Sequence, residues 1–437
     1  MTAGAPAHEA DGLAIAAFQP TTRLGWRFRL TAGLLGVVVL AGVGAFVVQL
    51  TTGIGVTGLN NGVFWGLYTV DLVTFIGLSY GGALVSAILR LTHAEWRGPI
   101  TRIAEGTALV TLAIGSLFPI IHIGHPERAW TIITRFQINS PIAWDMVAIS
   151  TYLLATVVFF WLPIIPDAGK FPDDIAMTKR QRGFLSWASA GWVGAPQQQR
   201  LLARSQTMLA VLIIPLAVMV HTVLSYAFSL TSRPGWHSTI FGPYFVVAAI
   251  YSGVALVILT ASIYRRAYRL QHWITTKALI NLGYVMVALA VGYAYLLFTE
   301  VTTEGYVGEE STETLLFSLL LDRWAGPFWT FVVLGLAVPV LLVAIPKTRT
   351  VGGVTIAAGM VVAAMFLKRY LMFIPPLTRP LIGGEVATYW PSWVEWTVTA
   401  GAVAAVPLCL MALFRFVPVL SVHEMLELGA VEIEEDI

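Results

Sequence analysis

Apolar residues along this chain come in long runs separated by short polar breaks. A helix needs about 20 apolar residues to cross the hydrocarbon core of a membrane. Ten runs reach that length: 30–51, 64–90, 100–123, 142–163, 203–230, 239–264, 275–298, 327–345, 352–374 and 393–419. The eighth is short, and the ninth is expected to end at Pro375-Pro376. The pattern predicts an all-α polytopic membrane protein of about ten transmembrane helices. The longest break, 164–201, reads as an inner linker between two halves. The break 299–326 carries Glu300, Glu304, Glu309, Glu310, Glu313 and Asp322 and is expected to be a solvated outer loop, with partner docking as its other reading.

Composition agrees. The chain has 437 residues, 57% hydrophobic and 11% charged, against about 25% charged in a soluble domain. Its net charge of +2 selects no class of partner. The one cysteine, Cys409, excludes an intrachain disulfide, a thiolate zinc site and a cysteine-ligated iron–sulfur cluster within this chain. Residues 1–25 are small and polar and the first run is long enough to span, so no removable signal peptide is expected.

Basic residues set the expected orientation. With the N-terminus inside, 19 Lys and Arg fall on the inner side, including Arg23, Arg102, Lys170, Arg266 and Arg269, against 7 on the outer side. Both termini are therefore expected in the cytoplasm. A faint repeat links Tyr80-Gly-Gly-Ala-Leu-Val85 in the second run to Tyr251-Ser-Gly-Val-Ala-Leu-Val257 in the sixth. It fits either an internal duplication or the small residues that let membrane helices approach.

This topology brings distant ionisable residues to the outer half. The third helix ends near His122 and the fourth begins near Asp145. Asp71 lies about 10 Å inside the second helix at 1.5 Å per residue. His221 falls in the outer half of the fifth helix, and Lys368 and Arg369 in that of the ninth. Ionisable groups at membrane depth mark functional sites by default. Each also has a structural reading: His122 and Asp145 as helix-end residues, His221 as hydrogen-bonded core, Lys368 and Arg369 snorkelling to the interface. Imidazole and carboxylate together at this depth suit quinol oxidation or quinone reduction. The substrate arrives from lipid and exchanges protons with His and carboxylate groups. The electrons would leave to an iron–sulfur or haem partner.

At these residues the chain resembles the NrfD-like membrane subunits of polysulfide-reductase-type complexes, and most nearly the larger members found in alternative complex III. The stretches that carry the resemblance are Gly62-Val-Phe-Trp-Gly-Leu-Tyr68, Ser116-Leu-Phe-Pro-Ile-Ile-His-Ile-Gly124, Ser140-Pro-Ile-Ala-Trp-Asp-Met-Val-Ala-Ile-Ser-Thr-Tyr152, Arg369-Tyr-Leu-Met-Phe-Ile-Pro-Pro376 and Tyr389-Trp-Pro-Ser-Trp-Val-Glu-Trp396. The chain departs from the pattern at His125, where an Arg is common, at Tyr80, where a His is expected, and in a short His122–Asp145 spacing. The resemblance implies two four-helix bundles with flanking helices: a tail at 1–29, a first bundle with the quinol site at 30–230, a second bundle and last helix at 231–420, and a tail at 421–437. It assigns His122 and Asp145 to the quinol as catalytic residues; Asp71, His221 and Arg369 join them as quinone-binding candidates from topology. It also implies menaquinone as substrate, no haem or iron–sulfur cluster in this chain, and an iron–sulfur subunit docked on the outer side. Further membrane subunits would include a paralogous NrfD-like chain and a cytochrome c subunit in a bacterial inner membrane. The competing readings are a haem b cytochrome, with His122 and His221 as the outer ligand pair, and a membrane anchor or proton-coupled transporter.

Overall fold

The computed structural model describes residues 7–22, 25–169, 177–380 and 385–435. Arg23 and Lys170, both counted for orientation, lie outside these, as do parts of the two tails and of the 164–201 linker. Ten helices are long and apolar enough to cross a membrane: α1 Trp26–Thr52, α2 Leu67–Leu91, α3 Glu95–His122, α4 Pro141–Trp161, α5 Pro196–Ser229, α6 Phe241–Ala267, α7 Thr276–Val307, α8 Ala325–Ala344, α9 Val351–Thr378 and α10 Trp393–Leu413. The chain is a multi-pass, all-α membrane protein.

Local chemistry sets the ends. Pro141 and Pro196 open α4 and α5 at the position where a missing N–H costs nothing. Thr275 and Thr350 cap α7 and α9 by accepting from the backbone N–H of Ala278 and Gly353. Ser392 and Glu395 form a capping box on α10.

Several boundaries differ from the sequence reading, two of them for visible reasons. The ninth helix runs through Pro375-Pro376 to Thr378. Pro376 has no N–H for the carbonyl of Met372, and the buried Trp236 indole N–H takes its place at 2.7 Å. The seventh helix does not stop at 298. It continues to Val307, where Gly308 in the left-handed region (φ 64°) ends it, and Glu310–Leu320 is helical again. Most of the expected acidic loop is thus helix, and Glu300 and Glu304 are helix residues. The fifth helix also begins earlier than its apolar run, and the tenth ends before 419.

α2 through α5 pack as one ring of four helices, and α6 through α9 as another. α1 lies on α10, which in turn touches α2 and α3. α2 is the central helix, with 89% of its apolar window buried. It meets α6 where the echoing segments cross. A Cβ on Gly81 would fall inside the Gly253 backbone, and the reverse holds for Gly253. Only glycine at both positions allows this approach. The tyrosines beside the crossing diverge. Tyr80 turns into the first ring, against Tyr152 and His221. Tyr251 turns into the second and donates to the Gly335 carbonyl at 2.6 Å. That carbonyl lies in a π-helical segment, Val333–Ala337, ahead of Pro339.

At the opposite end of α2, a polar cluster ties the C-terminal helix Val422–Glu435 beneath the first ring. Arg90 and Arg97 pair with Glu424 at 3.3 and 2.8 Å. Arg102, fully buried, pairs with Asp167 at 2.8 Å and donates to the Pro163 carbonyl. Asp167 also accepts from the His423 backbone N–H.

Candidate functional site

The α3–α4 connection brings two ionisable residues to adjacent helix ends. α3 breaks after Gly115 and finishes in a short turn, Phe118–His122, with Pro119 near its start. α4 begins at Pro141, so Asp145 is four residues inside it, about 6 Å deep. Asp145 does not cap α4: the N-cap is Ser140, and the first turn holds no acid. Asp145 Oδ1 is buried with no hydrogen-bond partner. His122 is half-buried, and its Nδ1 is likewise buried and unpartnered. Its ring stands edge-on to Tyr68 at 6.4 Å between centroids. They share this state with other buried polar atoms of the first ring, among them the Tyr80 and Tyr152 hydroxyls and both ring nitrogens of His221. Next to His122 and Asp145 in sequence, Leu117, Ile120, Ile123, Ile142 and Trp144 present large exposed apolar surface.

The other candidates are distributed differently. Asp71 is fully buried, but its Oδ2 accepts from Thr399 of α10 at 2.6 Å. It lies one turn below Tyr68 on the face of α2 toward α1 and α10. The expectation that Asp71 shares one cleft with His122 and Asp145 has no hydrogen bond behind it among the described residues: Asp71 Oδ2 faces Thr399, while its Oδ1 is buried without a partner, as are His122 Nδ1 and Asp145 Oδ1. Tyr68 links the two neighbourhoods. It donates to Gln49 Oε1 at 2.6 Å, and Gln49 Nε2 donates to the Ile121 carbonyl at 2.9 Å, next to His122.

His221 and Arg369 do come together, at the α2–α6 crossing rather than beside His122. Both flank Gly77, where a Cβ would meet Arg369 Nη2 at 2.7 Å and His221 Nε2 at 3.3 Å. Arg369 donates to Ser252 at 2.8 Å. The His221 ring has Tyr80 at 4.4 Å and Phe245 at 6.1 Å between centroids, and neither ring nitrogen has a partner. Asp145 lies within electrostatic reach of Tyr80. Lys368 does not snorkel outward; it is buried over the Tyr244 ring at 5.3 Å, beside Glu300. Tyr244 stacks on Tyr293 at 4.7 Å. A file of polar side chains therefore runs from Asp145 through Tyr80 and His221 to Arg369, and on through Tyr293 and Tyr244 to Glu300.

Sequence reasoning gives no place in the site to Tyr68, Gln49 or Glu300. Glu300 was assigned to a loop because it follows the apolar run, and Tyr68 and Gln49 are uncharged residues at apolar positions. A search for hydroxyl and amide groups one turn from Asp71 and at the end of the first run points to both. Glu395 is fully buried and saturated: it accepts from Tyr389, Gly58 and Ser392, which makes it a joint between loops. Among the described residues no three His, Cys, Asp or Glu side chains converge as a metal site.

Comparison with known proteins gives a family and relatives of similar length. The model of the family described as polysulphide reductase, NrfD, matches residues 55–380. A chain of Halobacterium salinarum, provisionally named as the membrane subunit of a dimethyl sulfoxide reductase, is 27% identical over 88% of this chain and 90% of its own length. A selenate reductase subunit of Mesobacillus selenatarsenatis is 26% identical over 88% and 93%. The Hdr-like menaquinol oxidoreductase integral membrane subunit of Archaeoglobus fulgidus is 25% identical over 90% and 95%.

Proposed function

Because the chain belongs to the NrfD polysulphide reductase family, we propose that it is the quinone-reactive membrane subunit of a multisubunit respiratory redox complex. The relatives are named as subunits of reductase and oxidoreductase assemblies, two of them as membrane subunits, and one name specifies menaquinol, which supports menaquinone as the substrate. The observation that supports the reading is that His122 at the end of α3 and Asp145 near the start of α4 each keep a buried polar atom without a partner among the described residues, next in sequence to exposed apolar side chains. A quinol head offers two hydroxyls at the ends of a flat ring, and those apolar side chains face the lipid from which it arrives. His122 takes a proton from one hydroxyl, and Asp145 bonds the other and passes its proton to outside water. Two electrons and two protons leave the quinol together. With one cysteine, this chain has no thiolate set for a cluster, so the electrons pass to an iron–sulfur partner on the outer side. The close packing of His221 against Tyr80 and Phe245 supports this reading over a haem ligand.

A photoreactive quinone analogue tests the assignment on the purified complex. Crosslinks are expected on 117–123 and 142–145, suppressed by excess menaquinone. Labelling confined to another subunit, or insensitive to menaquinone, would remove the site from this chain. On the same reading both termini are cytoplasmic. In a Cys409→Ser background, Glu310→Cys should react with an impermeant thiol reagent in intact cells and Gln199→Cys should not; the reverse result would invert the site to the inner face.

A further inference from the structure

A cavity of about 1310 Å³ opens where α1 begins and α6 ends, away from His122 and Asp145. It lies between the two rings and the α1–α10 pair. Its walls are apolar, formed by residues such as Phe75, Leu78, Leu259, Val362, Phe366 and Leu410. Its mouth is basic. Arg27 is the second residue of α1, Arg266 stands in the last turn of α6, and Arg269 follows it. All three are exposed, and none has an ion pair or hydrogen bond to a described residue. Among the described residues no Asp or Glu lines the cavity. Arg269 occupies the left-handed position after a helix end (φ 56°), where glycine is usual, so a guanidinium stands where a side chain is normally avoided.

We propose that this cavity holds one anionic membrane lipid, with its phosphate on Arg27, Arg266 and Arg269 and its two chains against α2, α6 and α9. Charge selects the head group: three guanidiniums without an ion pair among the described residues, Arg27 lying over the Trp26 ring at 5.7 Å, match a phosphate, and basic pockets between transmembrane helices bind such lipids. Length selects a lipid over a partner helix. The α6 wall runs from Leu256 to Ala267, about 16 Å at 1.5 Å per residue, which is the depth of one leaflet and half of the roughly 30 Å that a spanning helix needs. A quinone supplies no charge for the arginines. Volume agrees, since the cavity exceeds the roughly 300–1,000 Å³ of sites for small molecules. The proposal is independent of the quinone reading.

Native mass spectrometry of the full chain, released from detergent after equilibration with phosphatidylglycerol or phosphatidylcholine, tests it. The expected result is one retained phosphatidylglycerol per chain, held at least tenfold more tightly than phosphatidylcholine. Each Arg→Gln change at 27, 266 or 269 should weaken phosphatidylglycerol by about fivefold, with little effect on phosphatidylcholine. Should the Arg→Gln variants fail to fold, Ala363→Trp, which fills the groove from an exposed position, should expel either lipid. Equal retention of the two lipids, unchanged retention in the Arg and Ala363→Trp variants, or a partner's helix in the groove with no lipid would each overturn the proposal.

Discussion

His122→Ala lowers quinol turnover by at least tenfold in a complex that still assembles. General-base assistance is typically worth about 10²–10⁴ in rate, and the lower bound allows water to replace part of it. Assembly survives because the buried ring nitrogen has no hydrogen bond to lose, and the ring touches Tyr68 only at its edge. Asp145→Asn keeps size and removes charge, so turnover falls more than quinol affinity does. The wild-type pH profile shows two apparent values that belong to the pair rather than to either residue. Steady-state oxidation by the purified complex, with subunit stoichiometry measured alongside, checks all three statements. Near-normal turnover in an assembled His122→Ala, Asp145→Asn double variant would end the mechanism.

Arg102→Ala has the largest expected effect on stability. It leaves Asp167 buried and charged with its cation gone, and breaking a buried pair costs about 3–5 kcal/mol, a large part of ordinary net stability. Burial already pushes the Asp167 carboxyl up, and Arg102 pulls it back. Without Arg102 the folded value rises further above the unfolded one. A group so shifted supports the fold below the unfolded carboxylate range and withdraws that support as pH rises through the folded value. The variant should therefore be weakest at neutral pH and recover on acidification. Asp167→Asn in the same chain removes the charge while its side-chain oxygen still accepts from His423, and should restore most of the loss. Thermal unfolding in detergent at two pH values decides; a single variant as stable as wild type at pH 7 would show that the pair contributes little.

The helix runs were readable because membrane depth writes itself into hydropathy, and misreadings cluster where another force sets the helix end. α7 continues past Phe298 because its backbone bonds persist until Gly308, whatever the polarity of Glu300 and Glu304. α9 passes two prolines because Trp236, remote in sequence, satisfies Met372. Run length alone puts His122 at the end of α3 and Asp145 near the start of α4, since a helix end fixes height. It could not assign Asp71, because rotation about α2 depends on Thr399, which lies 328 positions away. Nor does hydropathy tell that His221 and Arg369 meet at Gly77 rather than near His122. Tyr80, read as a departure from the family pattern, stands at the centre of that meeting point.

The Gly81–Gly253 crossing has a mechanical meaning. Two backbones in contact at the centre of the molecule act as a weld, and neither ring has slack to tilt against the other without separating them. Rocking one ring against the other, the habit of transporters built from repeats, would have to break this contact. A side chain larger than hydrogen at either glycine would have to prise the two rings apart along their whole shared seam.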